Sequence, residues 1–456
     1  MRSILPKKLI SLAHACPAPL YVVGGAVRDF LTDMRAKNGG FDWDICSPMS
    51  AETFVAVAVE NGFSVKSVFK NTGTVKLLAD GVDYEYSCFR SDKYVRGVHS
   101  PVAVYFTNDI ALDAKRRDFT ANAVYYDIAS QTFVDPLNGI PAIKEKRLTT
   151  VAPAQKVFGE DGLRLMRLCR QAATLGFTPD GECLQGAKEN AALIADISPE
   201  RIFAELQSIL HADEKYGVTG GQYAGLRLLD ETGVLAHILP ELTLGKGMAQ
   251  RADFHKYDVL EHSFRAVLYA EPSVRFAALL HDVGKPLCAI RDGNVYAHPE
   301  EGATLVKTIM QRFKAPKRLT EETATLVSLH MYDFDCRTSE NKLRRFFVKH
   351  YPLLEKLLLV KQADFSACTD DISPAPTCVK WQNLLAKMQE EKAPFTLKSL
   401  AVTGNDLLAL GIPPHRIANV LHALLAHAAV QPNENTRERL CRLAKSFEKS
   451  IQNADR

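Results

Sequence analysis

The sequence lacks the patterns that mark membrane and exported proteins. No stretch reaches the roughly 18 charge-free apolar residues that a spanning helix needs. Residues 1–8 (MRSILPKK) contain no uninterrupted apolar run of the kind that a leader peptide has. Neither a spanning helix nor a leader is therefore predicted. We expect a soluble, cytoplasmic protein without a membrane partner.

Paired cysteine motifs and a strong net charge are also missing. The ten cysteines are scattered, and no CxxC pair begins a zinc ribbon or a redox motif. We expect reduced thiols, most of them in the core. With 56 Lys and Arg against 53 Asp and Glu, the formal net charge is only +3. Any binding of nucleic acid must therefore come from a local basic patch.

Length and hydrophobic patterning predict an α+β protein of several domains. A chain of 456 residues, 46% of them hydrophobic, can bury several cores. Short apolar runs between turn signals predict a mixed sheet up to about residue 140, whereas helical periodicity dominates from about residue 155. Breaks rich in Pro and Gly predict four domains, with the boundaries 1–140, 141–243, 244–370 and 371–456.

Two glycines and two aspartates form the first candidate site. Gly24 and Gly25 follow an apolar strand, so a phosphate can approach the backbone there and meet the N–H groups of the next helix. Asp42 and Asp44 flank a tryptophan, and residues i and i+2 of a strand share a face, so both carboxylates would point to one place. Such converging oxygen ligands suit Mg²⁺. A glycine turn and two solvated aspartates are the alternative.

A second polar cluster follows at residues 116–123 (RRDFTANA). The arginines, including Arg117, can hold phosphate as bidentate forks. Asp118 and Asn122 can form hydrogen bonds with ribose hydroxyls. A charged surface patch is the alternative for these residues taken alone.

In this order, residues 24–29 (GGAVRD), the Asp-x-Asp pair and RRDFTANA resemble the motifs of the class II tRNA nucleotidyltransferase/poly(A) polymerase family. The resemblance implies a polymerase β-like nucleotidyltransferase head with a mixed sheet, followed by an all-α neck, an HD-type helical domain and a helical tail. It also implies template-independent, two-metal, Mg²⁺-dependent addition of CCA to the 3′ end of tRNA from CTP and ATP. Asp42 and Asp44 are then the catalytic ligands, with Glu85 as a candidate third ligand. The expected nucleotide-binding residues of the head are Gly24, Gly25, Arg28, Arg117, Asp118 and Asn122.

Residues 160–164 (EDGLR) resemble the family's EDxxR motif, whose side chains pair with the incoming base in place of a template. A helical turn presents positions i and i+3 together, so its Asp and Arg would act as acceptor and donor. Cytosine and adenine both carry an amine donor beside a ring-nitrogen acceptor, so one such pair selects both bases. An ordinary helix salt bridge is the alternative. The expected base-recognition residues are Glu160, Asp161, Arg164, Arg167 and Arg170.

A second metal-type pattern runs through the middle of the chain. An adjacent His and Asp, flanked at a distance by further His and Asp residues, supply imidazole and carboxylate ligands that suit Mn²⁺, Ni²⁺, Fe²⁺ or Mg²⁺. The pattern resembles the HD phosphohydrolase family, although many relatives with this architecture keep the HD unit only as a scaffold. The resemblance matches the core ligands to His262, His281, Asp282 and Asp364, and a second metal to His298 and His330.

Three functions remain open on the sequence alone. The first is full CCA addition, and the second is a partial CC- or A-adding enzyme or a poly(A) polymerase on the same scaffold. The third is an HD phosphohydrolase in which the head is only a binding module. The loop at residues 90–101, which includes Arg96 and His99, resembles the flexible loop of full CCA-adding enzymes. Residues 402–413 resemble the tail that grips the tRNA elbow, and we expect a monomer or homodimer.

Overall fold

The computed structural model describes residues 1–37, 40–95 and 101–454, which divide into two compact units. The first unit comprises Met1–Thr243 and Gln311–Ala315, and the second comprises Leu244–Met310 and Pro316–Arg456. Within the described ranges, no helix has the length and apolar character needed to cross a membrane. The predicted loop residues Arg96 and His99 lie outside the described residues. The four predicted domain boundaries stay a prediction.

A seven-stranded mixed sheet forms the centre of the first unit. The described strands are β1 (Tyr21–Val23), β2 (Trp43–Ser47), β3 (Ser64–Phe69), β4 (Thr74–Ala79), β5 (Val82–Cys88), β6 (Arg90–Lys93), β7 (Ala103–Phe106), β8 (Tyr125–Asp127), β9 (Phe133–Val134), β10 (Arg147–Leu148) and β11 (Thr178–Pro179). The sheet order is β3-β4-β5-β2-β1-β8-β9, and β2 runs antiparallel to β1 and parallel to β5. This places β2 in the middle of the sheet. The predicted α+β class is confirmed.

The alternation of side chains along β2 determines which of its residues are buried in the core. Trp43 and Ile45 are buried, whereas Asp44 between them is only partly covered. Successive residues of a strand point to opposite faces, so Asp44 is the polar residue of a strand that otherwise packs into the core. Below the sheet, Phe54 stacks on Tyr86 with ring centroids 3.6 Å apart.

Helices surround this sheet and continue beyond it. Those of the first unit are α1 (Lys7–Ala15), α2 (Gly25–Leu31), α3 (Ala51–Glu60), α4 (Ile110–Lys115), α5 (Gly139–Lys144), α6 (Ala154–Glu160), α7 (Leu163–Leu175), α8 (Gly181–Asn190), α9 (Pro199–Leu210), α10 (Ala212–Tyr216), α11 (Gly221–Glu231), α12 (Val234–Ile238) and α13 (Pro240–Thr243). The predicted neck is not entirely helical, because β10 pairs in parallel with β11. This short pair joins the start of the predicted neck to the chain that follows α7.

A break between α6 and α7 interrupts the segment that the sequence predicts to be helical. Asp161 has extended backbone angles, with φ −149° and ψ 106°. Gly162 packs so closely that an added Cβ atom would lie 2.4 Å from the carbonyl oxygen of Leu193. The helix is therefore not continuous at Asp161, but the backbone N–H of Arg164 still donates to the carbonyl oxygen of Asp161 at 3.1 Å. The expected turn from position i to i+3 is kept, at the start of α7 rather than within a helix.

The regular elements among the described residues of the second unit are all helices. Its helices are α14 (Val259–Tyr269), α15 (Arg275–Leu280), α16 (Lys285–Asp292), α17 (His298–Arg312, which ends in the segment assigned to the first unit), α18 (Lys317–Leu329), α19 (Glu340–His350), α20 (Leu354–Thr369), α21 (Pro376–Glu390), α22 (Gly404–Ala409), α23 (Pro414–Val430) and α24 (Arg437–Ala454). Helices α14 and α20 pack against each other. The histidines of the predicted HD set lie on α14, just after α15 and α18, and at the start of α17.

Candidate active site and metal centre

A cavity of about 450 Å³ opens in the first unit. Every nucleotide-site residue predicted from the sequence lines it except Glu160 and Glu85. Among the described residues of its lining, seven are Arg or Lys and four are Asp. The cavity is therefore cationic overall and still contains carboxylates. This combination suits a triphosphate accompanied by a divalent cation.

Asp44 occupies the floor of this cavity because of its position on β2. Its register partners are Val23 on β1 and Glu85 on β5. Gly24, which comes directly after Val23, has φ +75°. A Cβ atom added at Gly24 would lie 3.0 Å from Oδ2 of Asp44. Burial raises the pKa of Asp44 to about 6, and the nearby carboxylates of Glu85 and Asp42 act in the same direction. The guanidinium of Arg117 opposes this rise in the pKa. A carboxylate in this state gains from a bound cation.

Asp42 lies just before β2 rather than within it. The sequence-based reason for pairing it with Asp44, a shared strand face, is therefore wrong, because the strand begins at Trp43. The carboxylate of Asp42 is exposed and lies 3.0 Å from Nζ of Lys215. Both aspartates nevertheless line the same cavity. Glu85 is exposed, outside the lining, and 3.7 Å from Lys76.

Arg28 is held rigidly at the cavity wall by α2. Its Nε and Nη2 atoms donate to Oδ1 of Asp29 at 3.0 and 2.7 Å, and its Nη1 atom donates to Asn122 at 2.7 Å. The second oxygen of Asp29 accepts from the Tyr216 hydroxyl at 2.5 Å. Because these contacts fix the plane of the guanidinium, Arg28 is oriented before any ligand arrives.

Arg116 and Arg117 share one buried carboxylate. Asp113, three and four residues earlier, accepts from Nε of Arg116 at 2.7 Å and from Nη2 of Arg117 at 3.0 Å. The Tyr125 hydroxyl donates to the same carboxylate at 2.7 Å. Burial opposes ionisation, but the two guanidinium groups hold the pKa of Asp113 well below its ordinary value. The result is a fixed pair of cations at the cavity wall.

Asp118 and Asn122 form a network that fastens the head to α7. Oδ1 of Asp118 accepts from Asn122 at 3.0 Å, and Oδ2 accepts from Nε of Arg167 at 2.8 Å. The amide oxygen of Gln171 accepts from Nδ2 of Asn122 at 3.0 Å, and its Nε2 atom donates to Oδ2 of Asp118 at 3.3 Å. Despite burial, Arg167 and Asn122 keep the pKa of Asp118 well below its ordinary value. This geometry favours positioning of Arg167 over direct contact of Asp118 with a ribose.

Glu160, Asp161 and Arg164 of the predicted base-recognition set lie at the break between α6 and α7. Arg164 is buried, and it donates to the carbonyl oxygens of Val157 at 3.0 Å and Arg116 at 2.8 Å and to Glu160 at 3.2 Å. Oδ1 of Asp161 accepts from the backbone N–H of Leu163 at 2.9 Å. Glu160 therefore contacts Arg164 from outside the cavity lining, unlike the other predicted base-recognition residues. Arg170 is held by Glu205 on α9 at 2.5 Å.

A second cluster lies within the second unit, around Asp282. Nε2 of His262 is 3.1 Å from Nε2 of His281 and 3.0 Å from Oδ1 of Asp364. The other side of the cluster places Nε2 of His298 at 3.3 Å and Nε2 of His330 at 3.7 Å from Oδ1 of Asp282. Asp282 thus belongs to two groups of close ligand atoms. The structure brings together all six residues of the predicted HD set.

Backbone contacts show that this cluster fits metal ions. The Nδ1 atoms of His281, His298 and His330 lie 2.7, 2.6 and 2.6 Å from the carbonyl oxygens of Ala278, Val295 and Val327. A neutral imidazole that donates from Nδ1 carries its lone pair on Nε2. Three such lone pairs converge on a buried carboxylate, an arrangement that is repulsive unless cations lie between them. Lys285 Nζ is 2.6 Å from Oδ2 of Asp282 at the edge of the cluster.

Comparisons with known proteins agree with both sites. Three family models match the chain: the Poly A polymerase head domain over residues 20–149, the probable RNA and SrmB- binding site of polymerase A over residues 176–244, and the HD domain over residues 259–364. An A-adding tRNA nucleotidyltransferase of Deinococcus radiodurans is 30% identical over 432 residues, covering 90% of this chain and 91% of that protein. The chain belongs to the tRNA nucleotidyltransferase family.

Other members of the tRNA nucleotidyltransferase family are also similar. A CCA-adding enzyme of Geobacillus stearothermophilus is 35% identical over 266 residues, which is 58% of this chain and 59% of that enzyme. The crystal structure of the Bacillus stearothermophilus CCA-adding enzyme in complex with CTP matches with a TM-score of 0.68 and 25% identity, covering 98% of both chains. The family resemblance predicted from the motifs is confirmed, as is the class of enzyme.

Sequence reasoning missed residues of the tRNA nucleotidyltransferase site that lie far from the motifs. Lys215 reaches Asp42 from 173 positions away, and Tyr216 reaches Asp29 from 187 positions away. No local pattern marks either residue. Asp113 is different, because its spacing of three and four residues from the two arginines is a helical signal that was available in the sequence.

Proposed function

We propose that this protein adds CCA to the 3′ end of tRNA, taking CMP from CTP and AMP from ATP without a nucleic-acid template. The observation that carries the proposal is the convergence of Asp42 and Asp44 with fixed arginines and the Asp161–Arg164 pair in one cavity. Catalytic carboxylates, phosphate ligands and base-selective groups therefore face the same volume. The CCA-adding relatives support the substrate class.

In this proposal, Asp42 and Asp44 hold Mg²⁺, with Glu85 as a third ligand. The raised pKa of Asp44 is the observation that fits a cation there. Bound Mg²⁺ supplies charge neutralisation at the transferring phosphorus and activates the RNA 3′-hydroxyl. Asp44 stays in place because it is part of β2, whereas exposed Asp42 must exchange its contact with Lys215 for the cation.

The fixed arginines bind and orient the triphosphate. Arg28, Arg116 and Arg117 are each anchored by a carboxylate, so little side-chain entropy is lost when phosphate binds. Gly24 and Gly25 leave room for the phosphates beside Asp44. These residues bring the α-phosphorus to the catalytic carboxylates, and such positioning accounts for much of the rate in phosphoryl-type transfer.

Base choice rests on Asp161 and Arg164. Asp161 accepts from the exocyclic amine, and Arg164 donates to the ring nitrogen beside it, so cytosine and adenine are accepted and uracil and guanine are not. Glu160 and the carbonyl of Val157 hold Arg164 in place. Arg167 and Arg170, which project from α7 into the same cavity, complete the nucleotide site.

One experiment separates full from partial addition. Purified protein is incubated with a tRNA ending at the discriminator base and with a tRNA ending in CC, and each NTP is supplied alone before CTP and ATP are combined. Full addition requires two C and one A on the first tRNA. Addition of A to the CC-ending tRNA only, as expected of an A-adding enzyme such as the Deinococcus relative, would contradict the proposal.

We propose a second activity, metal-dependent phosphohydrolysis, in the HD cluster. The specific observation is that Asp282 belongs to two groups of close ligand atoms. It forms one group with His262 and His281 and the other with His298 and His330. Histidine and carboxylate donors of this kind suit Mn²⁺, Ni²⁺ or Fe²⁺. The test is hydrolysis of 2′,3′-cyclic and terminal phosphates by protein purified without chelators. No hydrolysis and no stoichiometric transition metal would reduce the cluster to a scaffold.

A further inference from the structure

A third histidine-containing cluster adjoins the HD centre and is not part of it. One ligand atom from each of His255, His262 and Cys368 lies within 4.8 Å of the other two. His262 belongs to both clusters, since its Nε2 atom faces His281 and Asp364. His255 and Cys368 have no counterpart in the HD pattern. Their position beside a shared histidine therefore needs its own explanation.

His262 differs from the other histidines of the HD centre. His281, His298 and His330 each direct Nδ1 to a backbone carbonyl, whereas Nδ1 of His262 is buried and has no hydrogen-bond partner within the described residues. Nδ1 of His255 is also buried without a partner in that part of the chain. The His262 side chain is 0% exposed. A buried polar atom without a partner destabilises the folded chain, and coordination of a cation removes that cost.

One backbone and two side-chain hydrogen bonds between the flanking segments place His255 and Cys368 next to each other. The backbone N–H of Lys256 donates to the carbonyl oxygen of Cys368 at 3.0 Å, and its Nζ donates to Thr369 at 3.2 Å. The Tyr257 hydroxyl donates to Asp370. The chain entering α14 is thus fastened to the end of α20 at three successive positions. The juxtaposition is a consequence of the fold and does not depend on one side-chain rotamer.

We propose that His255, His262 and Cys368 bind a thiophilic divalent cation of the Zn²⁺ type, at a position distinct from the HD centre. Two imidazoles and one thiolate are a typical donor set for such cations, with water as the fourth ligand. Binding releases the Cys368 thiol proton to solvent and, when the HD centre also holds a cation at Nε2 of His262, the ring proton of His262 as well. Ligand atoms around a tetrahedral Zn²⁺ lie roughly 3.3–3.8 Å apart, given bond lengths of about 2.0–2.3 Å. The observed limit of 4.8 Å requires only small side-chain movements. His255 and Cys368 are partly exposed, so the cation can enter from solvent.

Cobalt substitution distinguishes this position from the HD centre. The HD ligands are nitrogen and oxygen atoms, whereas a bond from Co²⁺ to the Cys368 thiolate gives a charge-transfer absorption in the near ultraviolet. The full-length protein, freed of metal and titrated with Co²⁺, is expected to develop this absorption. Cys368→Ser should abolish it, and His255→Asn should reduce it at least about fivefold at the same Co²⁺ concentration. Cys441→Ser, which changes another partly buried thiol on α24, should leave it unchanged.

Circular dichroism and the thermal unfolding midpoint establish that each variant is folded before the titration. Absence of the thiolate absorption in the unaltered protein, or an equal absorption in Cys368→Ser, overturns the proposal. The readout does not depend on hydrolysis. If the protein shows no hydrolysis but keeps the thiolate absorption, the proposed phosphohydrolase activity is contradicted and the proposed Cys368 site stands. If it shows hydrolysis but no thiolate absorption, only the proposed Cys368 site is contradicted.

Discussion

Oδ2 of Asp44 lies 3.0 Å from the point that a Cβ atom would occupy at Gly24. The two residues approach this closely because Val23, which precedes the glycine, is the register partner of Asp44. Any side chain at position 24 must therefore displace the carboxylate that we assign to the catalytic cation. Position 24 links the conformation of the phosphate-binding turn directly to the metal ligand.

Gly24→Ala is expected to reduce nucleotide addition by about a hundredfold, since the added carbon shifts a catalytic group by a fraction of an ångström or more. Gly81→Ala is the matched control, because Gly81 has φ +76° but nothing within 4 Å of an added Cβ atom. Both variants should lose about 1–2 kcal/mol of stability through the strained backbone. Incorporation of CMP and calorimetric unfolding measure the two effects. Equal activity in both variants would contradict the proposed link.

Removal of the catalytic carboxylates should abolish turnover and preserve the fold. Asp42→Ala and Asp44→Ala are each expected to lower the incorporation rate by at least about a thousandfold, because charge stabilisation at phosphorus is the main contribution in this chemistry. Asp83→Ala, an exposed carboxylate on β5, is the control and should retain the rate. Near-normal nucleotide addition by Asp42→Ala would remove the assignment.

The raised pKa of Asp44 predicts a pH-dependent stability effect. Its folded pKa of about 6 lies above the ordinary value, so the ionised carboxylate destabilises the folded chain above about pH 6. The effect vanishes below about pH 4, where the carboxyl is protonated in both states. In metal-free protein, Asp44→Asn should therefore raise the free energy of unfolding by about 1–3 kcal/mol at neutral pH and change it little near pH 4.

Calorimetry of the metal-free protein at the two pH values provides the measurement, with Asp83→Asn as the control. Mg²⁺ should stabilise the unaltered protein more than the Asp44→Asn variant, because the cation binds the ionised carboxylate. If Asp44→Asn were less stable at both pH values, the carboxylate would be a structural hydrogen-bonding group rather than one awaiting a cation.

Base selectivity should depend on Asp161. Asp161→Asn keeps an oxygen for the N–H of Leu163 but loses the charged acceptor for an exocyclic amine. We expect the preference for CTP and ATP over UTP and GTP to fall at least about tenfold, corresponding to about 1–3 kcal/mol for an unpaired polar contact. Asp180→Asn is the control, since Asp180 accepts from a backbone N–H at the start of α8 in the same way. Unchanged selectivity would assign base choice to other residues.

The sharing of Asp282 predicts an unequal loss of metal from the HD centre. Protein purified without chelators should contain two transition-metal ions per chain at the HD centre, in addition to the cation proposed at Cys368. His298→Gln should retain one of them, whereas Asp282→Asn should lose both, because its carboxylate serves both groups. His350→Gln, at the end of α19, is the control. Elemental analysis of the folded variants gives the result, and equal metal content in His298→Gln and Asp282→Asn would contradict a shared ligand.

Local patterns predicted the chemistry of the sites better than their geometry. The alternation around Trp43 correctly favours a strand that carries Asp44, but the strand begins too late to include Asp42, which depends on contacts with α10. The EDGLR segment is typical of a helix, yet extended angles at Asp161 separate α6 from α7, and Gly162 packs closely against Leu193. Tertiary packing of this kind has no signal in a single sequence, because the partner lies 31 positions away. The histidine set was accessible because its residue types are rare and its order is distinctive.

The central place of β2 also determines when the cavity is assembled during synthesis. One neighbour of β2 in the sheet, β1, precedes it in the chain, but the other neighbour, β5, is complete only at Cys88. The residues that line the cavity are not all present until Tyr216 has been synthesised. In the nascent chain, the strand that carries Asp44 is therefore positioned only after contacts between distant residues have formed. Such long-range contacts form more slowly than local helices. A chain that stops before α10 carries the catalytic carboxylates on an open sheet, without the lysine that contacts one of them.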